Sequence, residues 1–244
     1  RCLFLRLLKQ IAHAGSAHAD EHFYKFTAAD AEERHLGFAC YRTRQQGFTC
    51  TRRANQQSTL RHISTDILVL AGSIPDVMPG SMYMDIMKHL QNKDLKIVVD
   101  ATKDLLVNVL QYHPFLIKPN NHELGEMFGV TLKTRDEIVA YAKKLQKMGA
   151  ENVLVSMAGD GAILLTEEGV IYEAKPPKGK VLNSVGAGDS MVAGFLTGYL
   201  NTGDYEKAFR LGVVTGSATA FQYWLATKED IVALMEDKPE TYGL

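Results

Sequence analysis

From Asp66 onward, short apolar runs alternate with amphipathic stretches; the residues before it hold no such order. Asp66-Ile-Leu-Val-Leu-Ala71 runs apolar into Gly72-Ser73, the mark of a parallel strand buried on both faces. Residues 95–99, ending at Asp100, predict a second strand, 115–118 a third and 152–156 a fourth. Helical spacing falls between them, over 82–90, 105–110 and 122–128. A further helix is marked at both ends: Thr134 and Glu137 form a capping box, Ile138, Ala142 and Leu145 share a face, and Gly149 ends it. Residues 162–165 and 170–173 read as a hairpin across Glu167-Glu168-Gly169. Two long helices follow, over 187–200 and from 205 to about 221, and a last one starts near Thr227.

Strands alternating with helices imply an α/β fold with a mostly parallel sheet covered on both faces. Ligands of such folds bind outside the carboxyl ends of the strands. Gly72-Ser73, Asp100, Lys118-Pro-Asn120, Ser156 and a glycine loop at 186 all fall at those ends, which favours a single site. Gly194 and Gly198, four apart, mark close helix packing.

Composition narrows the class. With 244 residues and 46% hydrophobic content, the chain can bury one large core. A net charge of −1 gives no electrostatic footprint for nucleic acid or a membrane surface. No apolar run reaches the length of a membrane span. Cys2, Cys40 and Cys50 are too few and irregular for a disulfide framework or zinc site, so a cytoplasmic location is expected. All three lie in residues 1–65, a segment that differs from the rest. Residues 1–11 have the pattern of a short amphipathic helix, and Arg6 and Lys9 interrupt any signal-peptide core. The expected organisation is an atypical segment over 1–65 and a core over 66–244. The missing initial Met points to a fragment, a processed chain or an incompletely known sequence.

The chemistry concentrates in Asn183-Ser-Val-Gly-Ala-Gly-Asp-Ser190, which runs into the apolar helical stretch from Met191. Gly186 and Gly188 permit close backbone approach, so the N–H groups of Gly186, Ala187 and Gly188 can converge on an anion. Asp189 stands in the first helical turn. A carboxylate beside an anion hole repels simple phosphate, but it suits a base that takes a proton from a hydroxyl attacking a phosphoryl group. The competing role for Asp189 is a partner of the helix dipole. A dinucleotide fingerprint would need a third glycine and the first βα turn, and a P-loop would need Gly-Lys-Ser/Thr. Asn120 and Glu123, three apart at a helix start, are hard oxygen ligands suited to hydrated Mg²⁺; the alternative is a helix cap with Glu123 near the positive end of the dipole. Ser156 and the turn Ala158-Gly159-Asp160-Gly161 can meet nucleotide phosphates or ribose, or can be a plain tight hairpin.

These blocks, in this order, resemble the ribokinase-like (PfkB) carbohydrate kinase family, over roughly 66–237. The Gly186-Ala-Gly-Asp189 and Asn120-x-x-Glu123 motifs carry the likeness. The wording of residues 70–75, 98–101, 116–124 and 183–195 is most similar to its 1-phosphofructokinase and tagatose-6-phosphate kinase branches. The resemblance implies a three-layer αβα sandwich that phosphorylates a ketose phosphate with ATP and Mg²⁺. Fructose 1-phosphate giving fructose 1,6-bisphosphate is its leading expectation; the alternatives are a tagatose-6-phosphate kinase and a non-catalytic remnant that binds nucleotide or sugar phosphate without the N-terminal sugar site. It also implies small-molecule partners and a homodimer. By it, Asp189 is the base, Gly186, Ala187 and Gly188 form the anion hole, and Asn120 and Glu123 order Mg²⁺. Lys118, Asn120, Ser156, Ala158, Gly159, Asp160 and Gly161 hold ATP, and the helix bearing Thr215 and Thr219 lines the adenine pocket. Such kinases open with an Asn-Pro-x-x-Asp sugar contact, a Gly-Gly-Lys-Gly segment and a small lid sheet. This chain has no Gly-Gly and no Asn-Pro, so the lid is expected to be absent or altered. Phe221-Gln-Tyr-Trp-Leu225 is bulky where relatives have a small-residue loop, and Ala158 stands where glycine is common.

Overall fold

The computed structural model describes residues 66–72 and 79–244. Expectations for Ser73 and for residues 1–65, the helix over 1–11 and the altered lid among them, lie outside the described residues. Six strands form one sheet in the order β1 (Asp66–Ala71), β2 (Leu95–Asp100), β3 (Leu116–Ile117), β4 (Asn152–Ser156), β5 (Ala162–Leu165) and β6 (Ile171–Ala174). The first four are parallel, and β4 to β6 pair antiparallel. The helices are α1 (Met82–Leu90), α2 (Lys103–Val107), α3 (Asn121–Met127), α4 (Arg135–Lys147), α5 (Ala187–Thr202), α6 (Tyr205–Ala220) and α7 (Lys228–Ala233).

The period of two explains the layers. Ile97, Val99, Ile117, Val153, Val155, Ile163 and Leu165 share one buried cluster with Met87, Leu124, Ile138, Ala142 and Leu145 of α1, α3 and α4. The alternate residues Val98, Leu116, Leu154 and Leu164 are also fully buried but stand outside that cluster, on the opposite face. There Phe115 meets the rings of Tyr199 and Tyr205, which belong to the α5–α6 pair. That pair packs closely because a side-chain carbon on Gly198 would lie 2.7 Å from Ala208 Cα, and one on Gly194 2.8 Å from the Leu211 carbonyl.

Two elements differ from expectation. β3 is shorter, because Pro119 has no N–H with which to continue the ladder, although Lys118 still donates to the Val99 carbonyl at 3.3 Å. The helix expected over 105–110 begins earlier and ends at Val107; a 3₁₀ turn over Leu110–Tyr112 follows, closed by His113 in the left-handed region at φ 53°. The Thr134–Glu137 capping box is present: the Thr134 side chain accepts from Glu137 N, and the Glu137 carboxylate accepts from Thr134 N. Such a cap stabilises a helix by about 1 kcal/mol.

Candidate active site

The carboxyl ends of the parallel strands bring the predicted residues together. Ala71 pairs with Asp100 across β1 and β2, and the Gly72 N–H donates to the Asp100 carbonyl at 3.0 Å. Asn120, beyond the end of β3, forms an isolated parallel bridge with Ser156, the last residue of β4. Between them, the Lys118 Nζ lies 3.2 Å from Asp100 Oδ1, with both side chains largely buried. Burial pushes the Asp100 carboxyl above its ordinary value and Lys118 pulls it back; the negative charges of Asp189 and Glu123 push it up again. The Tyr83 hydroxyl donates to the Ala71 carbonyl at 2.9 Å. Its burial, with the charge of Asp100, raises its pKa to about 12.

The glycine turn is built by hydrogen bonds that the sequence itself supplies. Asn183 Oδ1 accepts from Val185 N at 3.0 Å, and Asn183 Nδ2 donates to the Tyr223 carbonyl at 3.1 Å. Gly186 then takes the left-handed conformation at φ 78° and caps α5. Ala187 N–H donates to the Ser184 carbonyl at 3.2 Å, so this member of the expected anion hole is already engaged. The N–H groups of Gly186, Gly188 and Asp189 have no partner among the described residues. Three open donors at the positive end of a 16-residue helix have the geometry to receive an anion. Asp189 lies in the first turn of that helix, and its charge reaches Asp100.

The ends of α5 and α6 are tied beside this turn. Thr219 Oγ1 donates to Ser190 Oγ at 2.9 Å and accepts from Ala226 N at 3.2 Å. Leu225 leans on the turn, since a side-chain carbon on Gly186 would meet its Cδ2 at 2.8 Å. Tyr223 and Trp224 project from the same loop, 72% and 82% exposed.

Asn120 has the geometry of a cap. Its Oδ1 accepts from the N–H groups of His122 and Glu123, both at 2.9 Å, and its own N–H donates to Glu123 Oε2 at 2.8 Å. With Oδ1 so engaged, Glu123 offers the free hard oxygen of the pair, held in place by Asn120. No group of three or more His, Cys, Asp or Glu among the described residues forms a metal cage. This donor set suits an ion that keeps its waters and phosphate ligands, as Mg²⁺ does.

The turn over 156–161 is a compact connection. A 3₁₀ turn spans Ala158–Asp160, and Met157 N–H donates to the Gly161 carbonyl at 2.8 Å. Gly161 sits at φ 93°, with no room for a side chain beside the Ala174 carbonyl. Gly159 has open space around it, whereas Arg135 donates to the Asp160 carbonyl. Thr215 is buried in the helix pair: its hydroxyl donates to the Leu211 carbonyl at 2.7 Å and its side chain packs against Gly194. It therefore faces α5 and not an open pocket. The ties of Asp100 to Lys118 and of Ser190 to Thr219 escaped sequence reasoning, because each joins residues of different elements.

The three-layer α/β architecture and a helix start with open donors beside a carboxylate define a ribokinase-like phosphotransferase fold. The profile described as "pfkB family carbohydrate kinase" matches residues 24–229, beginning upstream of Asp66. The chain belongs to that family. It is 51% identical over 172 residues to the 1-phosphofructokinase of Bacillus subtilis (strain 168), covering 70% of this chain and 56% of that protein. It is 36% identical over 155 residues to the D-tagatose-1-phosphate kinase of Bacillus licheniformis, covering 63% of this chain and 51% of the relative. A Staphylococcus aureus structure described as a candidate phosphofructokinase superposes with a TM-score of 0.66 at 43% identity, covering 69% of this chain and 55% of that one. The chain thus spans about half the length of the relatives it matches.

Proposed function

We propose that the chain catalyses ATP-dependent phosphorylation of a ketose phosphate, fructose 1-phosphate giving fructose 1,6-bisphosphate. The observation that carries this reading is the α5 start, with open N–H groups on Gly186, Gly188 and Asp189 and the Asp189 carboxylate in the same turn. Asp189 takes the proton of the sugar hydroxyl, the hydroxyl oxygen attacks the γ-phosphorus, and ADP leaves. The open N–H groups receive the charge of the transferring group. Lys118 and the 156–161 turn hold the nucleotide from the strand ends. Glu123, fixed by the Asn120 cap, would order Mg²⁺ through water, and the ion when bound neutralises phosphate charge. Residues 66–244 form the kinase core and 1–65 a separate segment. A cytoplasmic location and a homodimer complete the reading.

The names of the Bacillus relatives support a ketose phosphate, and a tagatose phosphate is the second substrate. Binding of nucleotide or sugar phosphate without turnover is the other class, favoured by the lack of any Asn-Pro or Gly-Gly in the chain. ADP release measured with fructose 1-phosphate, with tagatose phosphates and without sugar tests these readings. Sugar-stimulated release supports the kinase; ATP binding with no sugar-dependent release refutes it.

A further inference from the structure

Lys118 has two close neighbours. Asp100 Oδ1 lies 3.2 Å from its ammonium, and a side-chain carbon on residue 188 would lie 3.1 Å from Nζ and 3.6 Å from Cε. Gly188 is not among the glycines with positive φ, so its backbone does not demand glycine. What glycine provides at 188 is clearance for the ammonium. The charge beside it is unequal: Asp189 and Glu123 both act on Asp100, the one carboxylate paired with this ammonium. An anion entering the turn needs that single positive charge in a fixed place. A buried ion pair contributes little net stability compared with apolar residues of the same volume, so stability alone does not account for its presence.

We propose that Asp100 is a positioning residue, which holds the Lys118 ammonium against the underside of Gly188 and so sets the positive boundary of the anion turn. This rests on reading the 186–189 turn as the phosphoryl subsite. Asp100 touches neither reacting group; it acts through Lys118. The glycine at 188 and the aspartate at 100 are then two halves of one device, one holding the ammonium and the other leaving it room.

Two measurements on the full chain test this. Acylation of Lys118 by an amine-reactive anhydride, read by mass spectrometry, reports where the ammonium is; a MgATP binding isotherm reports what it does. Asp100→Asn is expected to speed Lys118 acylation and weaken MgATP binding, each about tenfold, with Asp100→Glu recovering much of both. Lys118→Met weakens binding similarly, and adding Asp100→Asn to it costs nothing more. Gly188→Ala weakens binding in the native background and not beside Lys118→Met. Should Asp100→Asn not fold, Asp100→Ser takes its place in both measurements, and the same outcomes decide. Unchanged Lys118 acylation in Asp100→Asn, or losses that multiply in the double variant, would overturn the proposal. A native chain that binds no ATP instead refutes the phosphoryl-subsite reading, and the acylation rates still decide whether Asp100 places Lys118.

Discussion

Thr219 donates its hydroxyl hydrogen to Ser190 Oγ across 2.9 Å, while its own oxygen accepts the N–H of Ala226. One buried hydroxyl therefore fixes the residue after Asp189, the end of α6 and the loop that leans on Gly186. Thr219→Val keeps the shape and leaves a buried hydroxyl and N–H unpaired, at a cost of about 1–3 kcal/mol. Chemical denaturation should show that loss. Sugar-dependent ADP release should fall more than MgATP affinity, because Asp189 is the group displaced; a variant with native turnover would separate the tie from the site.

Ala158 is a non-glycine residue at positive φ, 48°. The left-handed conformation costs an L-residue about 1–2 kcal/mol, part of which glycine returns through its freer unfolded chain. Ala158→Gly is expected to raise stability by about 0.5–1 kcal/mol. A lowered melting temperature would show that the turn does not bear this strain.

Burial holds the pKa of Tyr83 and of Tyr242 at about 12, and with Glu167 it raises that of Tyr205 as well. A raised tyrosine pKa favours the folded state fully below the unfolded value near 10. That contribution is lost as pH rises through the folded value. Stability should thus be level in this respect up to about pH 10 and fall between about pH 10 and 12. Tyrosine absorbance near the ionisation band should change with unfolding for this group; ionisation of every tyrosine near pH 10 in the folded chain would contradict it.

Trp224 is the chain's single tryptophan, and it lies 82% exposed in the loop joined to the glycine turn through Asn183 and Tyr223. Its emission therefore reports on this loop alone. Nucleotide bound at the turn should move the emission to shorter wavelength and saturate with MgATP. A spectrum that does not move while calorimetry shows ATP binding would place the nucleotide elsewhere.

Much of the fold was legible because the relevant forces are local. The apolar runs at 66–71 and 152–156 gave β1 and β4 with the bounds found, and Thr134 with Glu137 marked the start of α4. The Gly186–Asp189 motif identified the turn, since left-handed backbone and a helix start leave their own residue signature. The uses of individual groups were less legible. Asn120 spends its oxygen on two N–H groups, a choice between cap and cation that spacing leaves open. Ala187 donates within the turn, and Thr215 turns its hydroxyl back onto α6. The Lys118–Asp100 pair and the Ser190–Thr219 bond depend on tertiary packing, which periodicity does not encode.

The role of Asp189 is tested most directly by comparing fructose 1-phosphate-dependent ADP release by the native chain and by Asp189→Asn, with MgATP affinity measured alongside. The substitution is expected to slow release by on the order of 10²–10⁴-fold while leaving nucleotide affinity nearly intact. Equal turnover in the two proteins would contradict Asp189 as the base.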